Sequence, residues 1–411
     1  MSSSRTSFWQ LLDTSAQLRS NAGAMLDCII VGAGPAGASA ARRAAQKGLR
    51  TLVLEKEIFP RPKPCGGAFS VQGLSHLDFP VPPHLIERTI SGVRAVYGKL
   101  EILVESPQPI CVLVRRSAFD RLLLEKALEA GAQCRQGERV LSCEQSTSRV
   151  TVRTDKGTYQ ARYAILAHGA SGRPPAGPLT GAGREKTTHW LTVVGETASE
   201  GWERATGEEP ASVLEFYFDA CPGGYGWVFP LKNGASVGVG GLARAARRPV
   251  RLFREFVERL GIRPLPAYRG CPIPCSGIAR RLGSDRILAA GDAGGFAEAF
   301  SGEGIAYAVR SGQIAAETVS HAVSGALTRS LAAEYRRRCR DALGDNLIYA
   351  RLFALGAYGF PGLFFRVFHR YRSLGEEFLK IPRGLQTYRG FFAHVRRRLA
   401  EGLILRRNSE P

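Results

Sequence analysis

Gly32, Gly34 and Gly37 stand at G-x-G-x-x-G spacing directly after an apolar run, Asp27-Cys28-Ile29-Ile30-Val31. Such a loop can bind a pyrophosphate. The first glycine permits a tight turn, the second lets backbone approach the phosphates, and the third lets the following helix pack close to the strand. The helix N-terminus then offers free N–H groups and a positive dipole end, which places Ala36 among the expected contacts. Glu55 closes a second apolar run, Thr51-Leu52-Val53-Leu54-Glu55, at the distance where an acid meets a ribose hydroxyl, with Lys56 beside it. Strand, fingerprint, helix, strand and acid in this order predict a dinucleotide and leave open which one.

Further segments must complete the site. Arg286-Ile287-Leu288-Ala289-Ala290 reads as another buried strand. It runs into Gly291-Asp292-Ala293-Gly294-Gly295 and then Ser301-Gly302-Glu303-Gly304-Ile305, which opens a helix to about Gly325. Tyr163-Ala164-Ile165-Leu166 is a strand that ends in the turn Ala167-His168-Gly169-Ala170-Ser171-Gly172. That turn resembles a second FAD fingerprint, with His168 where a small residue is commoner. Arg116-Ser117-Ala118-Phe119-Asp120-Arg121-Leu122-Leu123 has the R-x-x-F-D-x-x-L pattern, whose arginine often borders a flavin.

At these residues the chain resembles the FAD-dependent group that contains p-hydroxybenzoate hydroxylase, flavin halogenases and geranylgeranyl reductases, over about residues 26–325. Within that group Pro62-Lys63-Pro64-Cys65-Gly66-Gly67 resembles the K-x-C-G-G element of geranylgeranyl reductases, and Tyr225-Gly226-Trp227-Val228-Phe229-Pro230 resembles their Y-x-W-x-F-P element. The resemblance implies FAD held by Gly32, Gly34, Ala36, Gly37, Glu55, Lys56, Cys65, Gly66, Gly67, Arg116, Gly291, Asp292, Gly302, Gly304 and Ile305. It implies catalytic roles for Cys65, Tyr225 and Trp227. Leu231 separates Pro230 from Lys232, so Lys232 receives no role.

The activity implied is saturation of isolated C=C bonds in a geranylgeranyl or other prenyl chain on a lipid, by hydride from reduced flavin plus a proton. An isolated alkene has no carbonyl to withdraw charge, so both must be delivered in a dry, shaped site. Positive charge developing on the substituted carbon can be stabilised by aromatic faces, by roughly 0.5–2 kcal/mol each. The electron donor stands open between NADPH and ferredoxin. The alternative is an FAD-dependent monooxygenase of the same superfamily.

The 411 residues, 22% charged and 44% hydrophobic, suit a composite enzyme with a large core. Nine cysteines without a secretory segment predict reduced thiols and a cytoplasmic setting. Cys271 and Cys275 make only half a metal site, so no metal is expected. The formal net charge is +20, and from His321 onward 17 Arg and Lys stand against 7 Asp and Glu, interleaved with phenylalanines. That mixture predicts peripheral contact with an anionic membrane, with the phenylalanines walling a prenyl tunnel. Nucleic acid is not expected, because no binding motif accompanies the charge. The stretch Leu352 to Phe365, broken by Pro361 and glycines, is too short to span a bilayer.

The predicted fold is α/β. A discontinuous Rossmann-like FAD-binding domain (26–90, 110–186 and 277–325) accompanies an antiparallel β-sheet substrate domain (91–109 and 187–276). A flexible extension (1–25) precedes them and a basic, aromatic, helical C-terminal region (326–411) follows. The run Gly238-Val239-Gly240-Gly241 lies in the predicted sheet and is not a second nucleotide loop, since no ribose acid follows it.

Overall fold

In the computed structural model of the chain, residues 25–170, 175–177, 189–198, 212–275, 277–278 and 281–407 are described. The expected N-terminal extension and the Ser171-Gly172 end of the second fingerprint lie outside them.

The apolar runs around the glycine fingerprint become adjacent parallel strands. Thr51–Glu55, Leu26–Val31 and Thr158–Leu166 pair side by side, with Gln133–Gln136 beyond the first and Ile287–Ala289 beside the last. Four central residues of Leu26–Val31 are at most fractionally exposed, as a strand covered on both faces demands. Val150–Thr154 and Val140–Gln145 extend this sheet antiparallel.

Two helices cover the face that matters for the site. Pro35–Gln46 leaves the fingerprint with Pro35 at its first turn, where a missing N–H costs nothing. Ile305–Val323 packs across it so closely that a Cβ at Gly312 would sit 2.1 Å from the Ala36 carbonyl oxygen. This contact sets the N-termini of both helices at one end of the sheet.

The second sheet has seven strands in the order Tyr268–Pro274, His189–Ala198, Gly234–Leu242, Gly224–Leu231, Val213–Tyr217, Gly92–Tyr97 and Leu100–Glu105. All its pairings are antiparallel except Val213–Tyr217 with Gly92–Tyr97. The strand bearing Tyr225 and Trp227 is buried throughout. A small sheet of Ala68–Ser70, Cys111–Val114 and Ile86–Ile90 bridges the two larger ones. The chain ends in helices Leu331–Cys339, Asp345–Gly359, Pro361–Arg370, Ser373–Leu379 and Tyr388–Arg407. Their interior is a phenylalanine cluster around Phe353, Phe368 and Phe391. Among the described residues, no single helix is long and apolar enough to cross a membrane.

Candidate active site

A cavity of about 900 Å³ begins at the glycine fingerprint and ends among the C-terminal helices. At its first end Gly32 has φ +99°, a left-handed conformation that favours glycine, and a Cβ there would meet the Ala167 carbonyl oxygen at 2.5 Å. A Cβ at Gly37 would lie 1.8 Å from the Gly32 carbonyl oxygen. Gly34, by contrast, faces the cavity, with only the Arg61 guanidinium 3.5 Å from where its Cβ would be. Glu55 is buried; its carboxylate accepts the Ala33 N–H at 2.7 Å and the Glu57 N–H at 3.0 Å, tying the second strand to the loop. Lys56 lines the same end.

Arg61 had no signal in the sequence. Its guanidinium pairs with Asp120 at 3.2 Å, and Asp120 also takes Arg116 through two bonds of 2.7 and 2.9 Å. One fully buried carboxylate therefore holds two cations along the cavity wall. Both cations suit a group that carries a diphosphate. Asp292 lines the same cavity, 3.6 Å from the place where Gly304 would carry a Cβ. Burial lifts its carboxyl above the ordinary range, while the charges of Lys63 and Arg116 act the other way.

The two elements that resemble those of geranylgeranyl reductases pack on one another. A Cβ at Gly66 would meet the Phe229 ring at 2.8 Å and Trp227 Nε1 at 3.3 Å. Trp227 Nε1 is buried with no hydrogen-bond partner among the described residues, which leaves an indole donor beside the Cys-Gly-Gly turn. Cys65 Sγ accepts the Gly67 N–H at 3.4 Å and lies against the Arg116 guanidinium. Tyr225 and Trp227, two apart on their strand, show the same face to the cavity with ring centroids 6.1 Å apart. Trp190 and Phe216 meet Tyr225 edge-on at 5.3 and 5.0 Å. Neither carries a local signal in the sequence, because they lie on other strands of the sheet. Cys271 faces Lys63 Nζ at 3.2 Å. Lys232 donates to the His84 carbonyl outside the cavity.

The loop between Asp292 and Ile305 closes the site. Glu298, 1% exposed, accepts the Ser301 N–H at 2.6 Å together with the Phe300 N–H and the Ser301 hydroxyl. The Phe300 and Ser301 carbonyls in turn accept the Tyr358 and Tyr225 hydroxyls. Burial raises the Glu298 carboxyl to about 7 against the pull of these donors. A raised carboxyl favours the protonated fold. Its contribution to stability is full below about pH 4.5 and is lost as pH rises through about 7. Glu298→Gln is therefore expected to flatten the fall in melting temperature between pH 5 and pH 8, as followed by circular dichroism. It is also expected to remove an inflection near pH 7 from the turnover profile, because the loop that anchors Tyr225 no longer titrates.

The chain matches the pyridine nucleotide-disulphide oxidoreductase family over residues 26–201. It is 30% identical over 346 residues to digeranylgeranylglycerophospholipid reductase from Methanothrix thermoacetophila, covering 78% of this chain and 84% of the relative. A geranylgeranyl bacteriochlorophyll reductase-like protein from Thermoplasma acidophilum superposes with a TM-score of 0.69 at 22% identity, over 80% of this chain and 87% of that one. A mutant of the halogenase PltM in complex with FAD superposes at 0.66 and 19% identity, over 90% and 86%. The glycine cradle, the open side at Gly34 and the paired arginines fit FAD, which is the cofactor of this oxidoreductase fold. The chain belongs to the geranylgeranyl reductase family of FAD-dependent oxidoreductases.

Proposed function

We propose that this protein saturates isolated C=C bonds of a prenyl chain carried on a lipid. The observation that carries the reading is the course of the cavity. Beyond Cys65, Tyr225 and Trp227 it continues as an apolar channel between Phe216 and Phe218 of the second sheet and Phe364, Phe368 and Phe378 of the C-terminal helices. A long hydrocarbon can lie there with one bond after another brought to the dinucleotide end.

Bound and reduced, FAD supplies the hydride. Gly32, Gly34, Ala36, Arg61 and the helix N-terminus at Pro35 would hold its diphosphate end, and Glu55, Lys56, Asp292, Gly302, Gly304 and Ile305 would flank the rest; Gly37 and Gly291 pack behind the cavity wall, against Gly32 and Ala36. Cys65, Gly66, Gly67 and Arg116 would border the reacting end. The proton comes from the Cys65 thiol. The thiolate left behind is stabilised by the Gly67 N–H and the Arg116 guanidinium that already touch the sulfur. Tyr225 cannot serve as readily, because its hydroxyl is committed to the Ser301 carbonyl. With Trp190, Trp227 and Phe216 it offers aromatic faces to the positive charge that protonation creates, and the apolar walls exclude water.

Cys65→Ser is expected to retain FAD, seen as unchanged flavin absorbance, and to lose turnover by about a hundredfold, the usual worth of a positioned proton donor. Full turnover in that variant removes Cys65 from the reaction. The reading itself is tested anaerobically. Dithionite, in place of NADPH or ferredoxin, reduces the enzyme, which is then mixed with a geranylgeranyl lipid. Flavin reoxidation with a gain of two mass units per bond supports the reductase. Reoxidation only after oxygen enters, with a gain of sixteen, makes the protein a monooxygenase instead. Such a lipid is stored in a bilayer, and the enzyme is proposed to meet it there from a peripheral position.

A further inference from the structure

Five of the large apolar side chains left exposed in the fold fall within sixteen residues of one another. Ile348, Leu352 and Leu355, at successive turns of Asp345–Gly359, are 53%, 50% and 49% exposed; Phe360 and Leu363 follow at 69% and 55%. Spacing of four and then three puts the first three on one helix face. The chain then bends by 103° into Pro361–Arg370, so Phe360 stands at the elbow.

Apolar side chains at the elbow and on the second helix divide between cavity and solvent. Phe364 and Phe368 line the cavity, whereas Phe360 and Leu363 face outward. Only the thickness of this helix separates the channel from solvent. Past Asp345, which begins the first helix and pairs with Arg389 at 3.4 Å, the charge has one sign: from Asn346 to Gly375 the sequence holds no acidic residue and four arginines, Arg351, Arg366, Arg370 and Arg372. All four are exposed. Exposed apolar side chains gathered beside four arginines match an anionic bilayer, where apolar side chains enter the headgroup boundary and arginines stay among the phosphates.

We propose that the elbow formed by Asp345–Gly359 and Pro361–Arg370 is the surface by which this protein docks on an anionic membrane, seating the cavity wall at the bilayer. The reading of the cavity as a prenyl channel explains why a channel wall should sit there, but the surface itself rests on exposure and charge.

The test uses full-length holoenzyme and sedimentation with vesicles of phosphatidylcholine and phosphatidylglycerol at a ratio of about 70:30. The wild type is expected to bind. Combined Leu352→Ser, Phe360→Ser and Leu363→Ser is expected to weaken binding at least about tenfold, because three inserted side chains are lost. Combined Arg351→Gln and Arg366→Gln is expected to weaken it about fivefold per charge on these vesicles, and not at all on phosphatidylcholine alone. Leu265→Ser, which removes an exposed apolar side chain elsewhere, is expected to bind like the wild type. Flavin absorbance and melting temperature report that each variant is folded. Equal vesicle binding by the wild type and the triple variant, or no binding by either, overturns the proposal. A shift from dimer to monomer in the triple variant without vesicle binding also overturns it, in favour of a second copy of the chain on this face. Reduction of geranylgeraniol dispersed in detergent separates the two readings. If the elbow variants lose vesicles but keep this turnover, both stand; if no form reduces it while vesicle binding behaves as expected, only the prenyl-reductase reading fails.

Discussion

Asp120→Ala is expected to yield a colourless protein destabilised by about 3–5 kcal/mol, the cost of removing one partner from a buried ion pair. Asp120 has no exposed surface, and its carboxylate holds Arg116 through two bonds and Arg61 through one. Alanine would leave two guanidiniums in a wall where neither has another carboxylate within ion-pair distance among the described residues. They would repel one another or turn into the cavity. Both movements displace Arg61 from the diphosphate side of the cradle and Arg116 from its place against Cys65. Asp120→Asn keeps the shape and one acceptor, and a smaller loss of about 1–3 kcal/mol follows. Urea denaturation gives the stability, and the ratio of flavin to protein absorbance gives the occupancy. Retention of both in Asp120→Ala means that the arginines need no common anchor.

This triad also shows how far the sequence could be read. Arg116 and Asp120 stand four apart in a recognisable pattern, so a helix brings them together by its own period. Arg61 comes from a loop about sixty residues earlier, and no local rule connects it to them. The same division holds throughout. The glycine fingerprint, Glu55 and Asp292 were legible because each is fixed by backbone geometry at the end of a strand, which local sequence encodes. Trp190, Phe216 and Phe218 were not, because their place beside Tyr225 is set by strand order and register within the second sheet. Glu298 was visible only as an acid near the site. Its role depends on a closed turn whose carbonyls reach tyrosines 76 and 58 residues away. The C-terminal phenylalanines divide in a way that composition does not show: Phe364 and Phe368 reach the channel, Phe391 fills the helical interior, and Phe360 faces outward.

Gly238→Ala is expected to cut turnover by about a hundredfold while leaving the protein yellow, and the reason lies under Trp227. The run Gly238-Val239-Gly240-Gly241 is not a nucleotide loop but a flat floor in the strand Gly234–Leu242. A Cβ at Gly238 would stand 2.2 Å from Trp227 Cζ2 and 2.5 Å from Cη2. A Cβ at Gly240 would crowd Thr192 at 2.8 Å and the Trp190 ring at 3.2 Å. Two tryptophans thus rest on positions that have no side chain, in a strand where glycine otherwise weakens the sheet. A methyl group at Gly238 forces the indole up, and Gly66 leaves it nowhere to go without pressing on the Cys65 turn. The cost in stability is that of an overpacked core, about 1–3 kcal/mol. The cost in rate is larger, because a displacement of about 1 Å among reacting groups is worth about a hundredfold. The dinucleotide cradle is built on other strands, so FAD absorbance stays as in the wild type while tryptophan fluorescence shifts. Wild-type turnover with an altered fluorescence spectrum would show that the position of Trp227 does not matter to the reaction.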